Sequence, residues 1–128
     1  MNHGIYPDTF YRVSVKAVIK NATGEVLAVK EHTDAWELPG GGLDHGETPH
    51  ECLKRELFEE LLIGNDFTEN FVGLETVYVP HREVWKMNLV YEIVFTDELT
   101  WQLGEIKEAK FLPAAEYNAN KRDIEPKV

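Results

Sequence analysis

The feature that most constrains the fold of this chain is a helix whose start is marked by several agreeing signals. Thr48 suits the N-cap, Pro49 suits the first helical position, and Glu51 completes a capping box with Thr48. An apolar stripe follows at helical spacing, formed by Leu53, Leu57 and Leu61. The pattern predicts a helix over residues 49–63, with one face buried against a core.

Three glutamates lie on this predicted helix at positions i, i+3 and i+4: Glu56, Glu59 and Glu60. This spacing projects them from one face, beside the leucine stripe, and predicts that three carboxylates converge. Like charges so close together oppose helix formation unless a cation lies among them. Hard oxygen ligands favour Mg²⁺, with Mn²⁺ as the other choice. A solvated acidic helix face is the alternative interpretation.

A run of glycines, Gly40 to Gly42, precedes the helix. Glycines allow a backbone carbonyl or amide to approach a metal or phosphate closely, although a flexible turn would use the same residues. Arg55 lies within reach of Glu51 or Glu59 at helical spacing, and Glu47 precedes the helix, where it could meet Arg55 or an exposed amide. We assign Arg55 and Glu47 to the shell that orients the carboxylates.

Strand patterns lie on both sides of the helix. Residues 11–20 alternate apolar and polar side chains, as a half-buried strand requires, and residues 26–29 follow a turn at 21–24, which together predict a hairpin. The later segments with regular patterns are strands at 71–79 and 84–95, a short strand at 106–112 and a helix at 113–120. Residues 1–128 are therefore expected to form one α/β domain with a mixed sheet covered by helices.

The charge balance limits the classes of ligand. The 128-residue chain has 23 acidic and 13 basic residues, a net charge of −10. This charge repels a nucleic acid backbone, so nucleic acid is an unlikely partner. A small phosphorylated ligand that arrives with a divalent metal is compatible, because the metal neutralises both the acidic site and the phosphates.

Cysteine content and hydropathy indicate a cytoplasmic protein without membrane association. Cys52 is the one cysteine, so no intramolecular disulfide forms. A lone thiol among carboxylates is a poor nucleophile and a poor zinc ligand, so we interpret Cys52 as a buried filler. Residues 1–8 lack the basic start and apolar core of a signal peptide, and no apolar run approaches the roughly 18 residues of a membrane span.

Residues 41–63 resemble the Nudix box of the Nudix hydrolases, a MutT-like family. That box is a glycine, five residues, a glutamate, seven residues, Arg-Glu, an aliphatic residue, any residue, Glu-Glu, any residue, glycine and an aliphatic residue. The matching residues here are Gly41, Glu47, Arg55, Glu56, Leu57, Glu59, Glu60 and Ile63. So many fixed positions over 23 residues make coincidence an unconvincing explanation.

The resemblance implies an α/β/α sandwich and a metal-dependent hydrolase that cleaves a phosphoanhydride bond of a nucleoside diphosphate or triphosphate derivative. By the same resemblance, Glu56, Glu59 and Glu60 would hold Mg²⁺ or Mn²⁺, with the Gly41 carbonyl as a further ligand. Glu56 or a later glutamate would be the general base. The substrate would be a nucleotide, a nucleotide sugar or an ADP-ribose type compound, and a small substrate is favoured over capped RNA.

One position departs from the box. The glycine expected near its end is Leu62 here, and the next glycine is Gly64. We interpret this as a helix that runs slightly longer, with Gly64 and Asn65 supplying a left-handed stop. Every charged position of the box is intact.

Several residues outside the box are weaker candidates. A further catalytic carboxylate would come from a later loop, for which Glu105 and Glu108 are equally placed. His81 and Arg82 are candidates for phosphate contacts from the loop after Pro80. The aromatic residues that could stack on a base, although such residues more often fill cores, are Trp36, Tyr78 and Trp85.

Two other functions compete with the hydrolase. A nucleotide-sensing module of the same fold would bind without turnover, but such sensors tend to lose box carboxylates, which are all present here. An unrelated α/β interaction domain would leave the spacing from Gly41 to Glu60 as coincidence. Oligomeric state is open, with a homodimer through the strands of residues 71–95 as one arrangement.

Overall fold

Helix α1, Pro49–Leu61, begins at the predicted residue in the computed structural model, which describes residues 10–64 and 66–128. The Thr48 hydroxyl accepts a hydrogen bond from the Glu51 N–H at 3.2 Å, and the Glu51 carboxylate accepts one from the Thr48 N–H at 3.1 Å. These two bonds satisfy amides that a helix start leaves unpaired. The predicted capping box is therefore confirmed.

The end of α1 differs from the prediction of a longer helix. The helix ends at Leu61, and Leu62 takes the left-handed conformation, with φ 53° and ψ 31°. Gly64 does not have a positive φ, and Asn65 lies outside the described residues. The predicted stop at Gly64 is therefore wrong, because the backbone already turns at the box position that glycine occupies in the family.

The strands of the described chain form a four-stranded sheet and a two-stranded sheet. Their bounds, with those of the second helix, are β1 Tyr11–Val18, β2 Val26–Lys30, β3 Gly40–Gly42, β4 Phe67–Val79, β5 Val84–Phe95, β6 Glu108–Leu112 and α2 Ala114–Asn120. The larger sheet has the order β3-β1-β5-β4, in which β1 is parallel to β5 and the other pairs are antiparallel. The predicted mixed sheet is confirmed.

The predicted hairpin of the first two strands is confirmed only near its turn, where the Leu27 N–H donates to the Ile19 carbonyl at 2.8 Å. Most of β2 pairs with another strand. β2 pairs antiparallel with β6 over five residues, from Val26↔Leu112 to Lys30↔Glu108. β1 and β2 approach each other only beyond the end of β1, where Lys20 and Val26 form an isolated bridge. Every residue of β2 from Val26 to Val29 is at most 1% exposed, so this strand needs packing on both faces. Two apolar cores supply that packing, since Leu27 and Val29 lie in one core and Val26 and Ala28 lie in the other.

The two apolar cores pack against these sheets. The leucine stripe of α1 packs against β1 and β2 in the larger core, where Leu53, Leu57 and Leu61 are each 0% exposed. In the second core, Tyr117 of α2 packs with Leu38 and Leu112. Helices thus cover the sheets on both sides, which confirms the expected α/β/α sandwich.

Neither helix in the described part of the chain combines the length and the apolar character that crossing a membrane demands. The two helices contain 13 and 7 residues, whereas a span needs roughly 20. Residues 1–8, from which a signal peptide was excluded by sequence, lie outside the described residues.

We predict that Leu62→Gly stabilises the fold. A left-handed leucine is strained, and the Leu62 side chain is 41% exposed, so its loss removes little burial. The free energy of unfolding should rise by about 0.5–1 kcal/mol in urea denaturation. Gly64→Ala is the control, since Gly64 has no positive φ and nothing lies within 4 Å of an added Cβ. A lower unfolding midpoint for Leu62→Gly would contradict the strain.

Candidate functional site

Strand β3 lies so close to β1 and α1 that a side chain is excluded at Gly40 and would displace a neighbour at Gly41. A Cβ at Gly40, whose φ is 128°, would collide with the Val15 carbonyl oxygen. A Cβ at Gly41 would lie 2.6 Å from the Glu56 carboxylate. The interpretation as a flexible turn is therefore wrong, because the glycines form a strand that touches an acidic side chain of α1.

Arg55 joins the segment before α1 to the glutamates on α1. Its Nε and Nη2 donate to the two carboxylate oxygens of Glu47 at 2.8 and 2.9 Å. Its Nη1 donates to Glu56 at 2.8 Å and lies 3.6 Å from Glu59, while Nη2 also donates to the Gly42 carbonyl at 3.1 Å. The hydrogen-bonded guanidinium lowers the pKa of Glu47 to about 2. Arg55 thus fixes several carboxylates around one planar group.

Glu60 is the most deeply buried glutamate of α1, at 2% exposure. Its Oε1 accepts a hydrogen bond from the Gly40 N–H at 2.7 Å, whereas its Oε2 has no hydrogen-bond partner among the described residues. Burial raises the pKa of Glu60 to about 9. A buried carboxylate with an unpaired oxygen is costly in its ionised form unless a cation joins it.

The three glutamates do not converge as the helical spacing predicted. In residues 10–64 and 66–128, no three His, Cys, Asp or Glu side chains are arranged to hold a metal ion. Arg55 draws Glu56 and Glu59 towards itself, and Gly40 holds Glu60. The spacing fixes the face of the helix, but Arg55 on the same helix and the Gly40 N–H on β3 hold the carboxylates in different directions.

The donor set of this face nevertheless fits a divalent cation. Carboxylate oxygens are the hard ligands that such ions select, and the Oε2 atom of Glu60 needs a positive partner. The missing Cβ at Gly41 is what lets the Glu56 carboxylate lie against β3. Burial raises the pKa of Glu56, as it does that of Glu60, so a cation here would favour the ionised form of both.

Glu105 and Glu108 differ in their surroundings. The Glu105 N–H donates to the Glu59 carbonyl at 2.9 Å, so the loop before β6 is attached to the end of α1. Glu108 lies on β6, where its carboxylate is 3.4 Å from Lys30 Nζ. The structure therefore brings Glu105, and not Glu108, to the backbone of the glutamate helix.

A cleft of about 490 Å³ opens beside β3. Gly40 to Gly42 line it, and so do His81 and Arg82, the two residues that the sequence suggested for phosphate contacts. Glu31, which the sequence did not single out, also lines it. A larger cavity of about 620 Å³ is lined by Glu92, Phe95 and Trp101 and contains none of the predicted site residues, so the smaller cleft is the candidate.

The aromatic candidates for base stacking do not line this cleft. Tyr78 and Trp85 are exposed and pack on each other, with ring centroids 5.5 Å apart. Trp36 packs against the second core, and Lys30 Nζ lies 4.4 Å from its ring centroid. The core-filling interpretation therefore suits Trp36 but is wrong for the other two.

Cys52 is 0% exposed and lies among the larger-core residues. Its Sγ lies 3.7 Å from the Gly41 carbonyl oxygen and 3.6 Å from that of Gly42. Burial raises the pKa of the thiol to about 12, which keeps it protonated and unreactive. The prediction of a buried filler is confirmed.

The floor of the cleft contains buried charges that sequence reasoning missed. Lys16 was expected on the solvent side of a half-buried strand, yet it is 4% exposed and lies 3.0 Å from Glu125. Lys86 approaches the same carboxylate, and Arg122 pairs with Glu37 at 3.2 Å. Both faces of β1 are thus covered, because the C-terminal segment, which had no clear pattern, returns to the sheet.

Comparison with known proteins agrees with this geometry. Aligned over 55 residues, the chain is 44% identical to an RNA pyrophosphohydrolase of Blochmanniella floridana, a match covering 42% of this chain and 35% of that protein. The chain thus spans about a third of the length of this curated relative.

Solved structures show the same fold over most of the chain. The E. coli dihydroneopterin triphosphate pyrophosphohydrolase superposes with a TM-score of 0.74, at 21% identity and 90% coverage of both chains. The E. coli ORF135 protein superposes with a TM-score of 0.72, at 22% identity, covering 91% of this chain and 84% of that one. The family model of the NUDIX domain matches residues 10–128. This chain therefore belongs to the NUDIX domain family.

Proposed function

We propose that this protein hydrolyses a phosphoanhydride bond of a nucleoside diphosphate or triphosphate derivative with the help of Mg²⁺, for which Mn²⁺ can substitute. The observation that carries the proposal is the buried Oε2 of Glu60, unpaired among the described residues, beside a strand of glycines and a cleft. A carboxylate oxygen in that position can serve as a ligand for a metal ion. Every charged position of the box is present around it.

In this proposal Glu56, Glu59 and Glu60 hold the metal, with the Gly41 carbonyl as a further ligand. The metal, when bound, supplies positive charge for the phosphate oxygens and lowers the pKa of water. Glu56 is our candidate for the general base, because burial raises its pKa towards the range in which a carboxylate accepts a proton effectively. Arg55 and Glu47 are positioning residues that keep Glu56 in place.

The substrate in this proposal is a small nucleotide derivative that occupies the cleft. Arg82 and His81 lie at its rim, where they would contact phosphate oxygens. The names of similar proteins cover several substrates, from RNA to dihydroneopterin triphosphate, and the NUDIX domain of Shewanella oneidensis NrtR is complexed with ADP-ribose. Because one fold serves many substrates through residues outside the catalytic motif, we propose that the cleft selects the base and the leaving group.

We also infer that residues 1–128 form one domain that acts in the cytoplasm, and that a homodimer would form through β4. This strand lies at the edge of the larger sheet. It exposes Phe71, Val72 and Leu74 by more than half of their surface. An edge strand with exposed apolar residues is a surface that a second copy could cover.

The proposed activity predicts metal-dependent release of phosphate or pyrophosphate from a panel of nucleotides, nucleotide sugars and ADP-ribose. Glu59→Gln and Glu60→Gln should each lower kcat by about a hundredfold or more, because each removes a negatively charged ligand. Glu116→Gln is the matched control, since Glu116 is an exposed glutamate on the other helix, and it should keep full activity.

The same panel separates the hydrolase from a sensor. Turnover that requires Mg²⁺ and collapses in both variants supports the hydrolase. Nucleotide binding without turnover in the unaltered protein would favour the nucleotide-sensing module, and activity that survives both substitutions would remove the glutamates from the mechanism.

The burial of Glu60 predicts how stability changes with pH in EDTA. The folded pKa of about 9 lies above the ordinary 4.5, so protonated Glu60 contributes stability that is complete below pH 4.5. That stability is lost as the pH rises from about 4.5 to about 9. Urea denaturation at pH 5 and pH 8.5 should show a larger loss for the unaltered protein than for Glu60→Gln. Equal losses would show that Glu60 does not titrate with a raised pKa.

The two loop glutamates give a further prediction, since we propose Glu105 as the additional catalytic carboxylate. Glu105→Gln should lower kcat by at least about tenfold, because its loop is bonded to the end of the glutamate helix. Glu108→Gln should change kcat by less than about twofold, since the side chain of Glu108 is half exposed and its one ion pair in the described residues, with Lys30, is of the weak surface kind. Steady-state kinetics that reverse this order would assign the role to Glu108.

A further inference from the structure

The floor of the cleft contains a buried ion cluster that the chemistry at α1 does not require. Lys16 extends from β1, and its Nζ lies 3.0 Å from Glu125 Oε1 and donates to the Leu38 carbonyl at 3.3 Å. Glu125 also accepts a hydrogen bond from the Leu38 N–H at 3.0 Å. The side chains of Lys16 and Glu125 are 5% and 1% exposed, so the pair is buried beneath the cleft that Lys16 lines.

Lys86 differs from Lys16 in having only a distant partner. Its Nζ lies 3.7 Å from Glu125 Oε2, beyond hydrogen-bond length, and no other ion pair of Lys86 is present in the described part of the chain. Its side chain is 12% exposed and lines the cleft. Burial, and after it the neighbouring Lys16 ammonium, lower the pKa of Lys86, although Glu125 opposes the shift. An ammonium group has three donors, so Lys86 can serve a ligand.

The charges of the floor do not balance. Among the groups within ion-pair distance, three cations, from Lys16, Lys86 and Arg122, face two carboxylates, from Glu37 and Glu125, which leaves one positive charge. The other charged residues that line the cleft add to this excess, since they include Arg12 and Arg82 against Glu31. This excess lies within a chain whose net charge is −10. A buried charge without a full partner is costly, and an entering anion would relieve that cost. A neutral nucleobase would not relieve that cost, because it brings no negative charge.

We propose that this floor binds a second phosphate group of the substrate, remote from the scissile anhydride and attached to its nucleoside portion. Lys86 donates to that phosphate, while Lys16 and Glu125 are positioning residues. The assignment of the ligand as a substrate rests on the proposed function, whereas the anion site itself does not. The phosphate has two sources, a monoester on the ribose or the phosphodiester of a 5′-phosphorylated dinucleotide.

Isothermal titration calorimetry in EDTA tests the site without turnover. The probes are AMP, adenosine 3′,5′-bisphosphate and the 5′-phosphorylated dinucleotide pApA, repeated in the guanosine series. The unaltered protein should bind the bisphosphate or the dinucleotide about tenfold more tightly than the monophosphate. The preferred one of the two identifies the source of the phosphate.

Lys86→Met tests whether Lys86 binds the ligand or only supports the fold. It keeps the apolar stem and removes only the charge, so it should fold, and it should abolish the tenfold preference while AMP affinity stays within about twofold. Lys110→Met is the control, because Lys110 is an exposed lysine on β6, and it should bind every probe as the unaltered protein does.

Glu125→Gln is a second, independent test of the anion site. The amide oxygen can still accept the Leu38 N–H, but the floor gains one positive charge, so the affinity for the preferred probe should rise although the unfolding temperature falls. Both expected responses support the anion site. It is overturned if no doubly phosphorylated probe binds more tightly than the monophosphate, or if Lys86→Met weakens all probes equally. Since metal is absent, loss of the hydrolase proposal would leave these results unchanged.

Discussion

The close approach of β3 to both β1 and α1 is the contact on which the rest of the site depends. A Cβ at Gly40 would collide with the Val15 carbonyl, and a Cβ at Gly41 would displace the Glu56 carboxylate. The same approach lets the Gly40 amide reach Glu60, so that a buried acidic side chain has one fixed oxygen and one left without a partner. Backbone proximity therefore determines where the carboxylates of α1 are held.

Local interactions explain why the helix was predictable. The capping box and the leucine stripe join residues three or four positions apart, and these distances do not depend on the remainder of the fold. Leu62 shows the limit of such reasoning. Its side chain disfavours a left-handed backbone, so the sequence suggested a longer helix, but the chain must leave α1 there because Ile63 enters the larger core. Packing outweighs local preference at this position.

The site was predictable as a set of residues and less so as a geometry. The box spacing identifies Glu56, Glu59 and Glu60 and brings Arg55 to Glu59, but the Gly40 amide that holds Glu60 lies 20 residues away, which no helical period encodes. Lys16 was also predicted wrongly, because its position in the alternating pattern indicated an exposed side chain. In an alternating strand a lysine indicates solvent, and only the return of Glu125 from the far end of the chain converts that face into a buried floor.

The distribution of charge links these separate observations. Acidic side chains on α1 form one wall of the candidate site, and the cations of β1, β5 and the C-terminal segment form the floor of the adjoining cleft. Each group would be costly to bury by itself, because neither finds enough counter-charge within its own element. A phosphorylated ligand with a divalent cation would satisfy both, since the cation neutralises the carboxylates and the phosphates neutralise the lysines. Ligand binding would thereby relieve electrostatic costs that folding alone leaves in the protein.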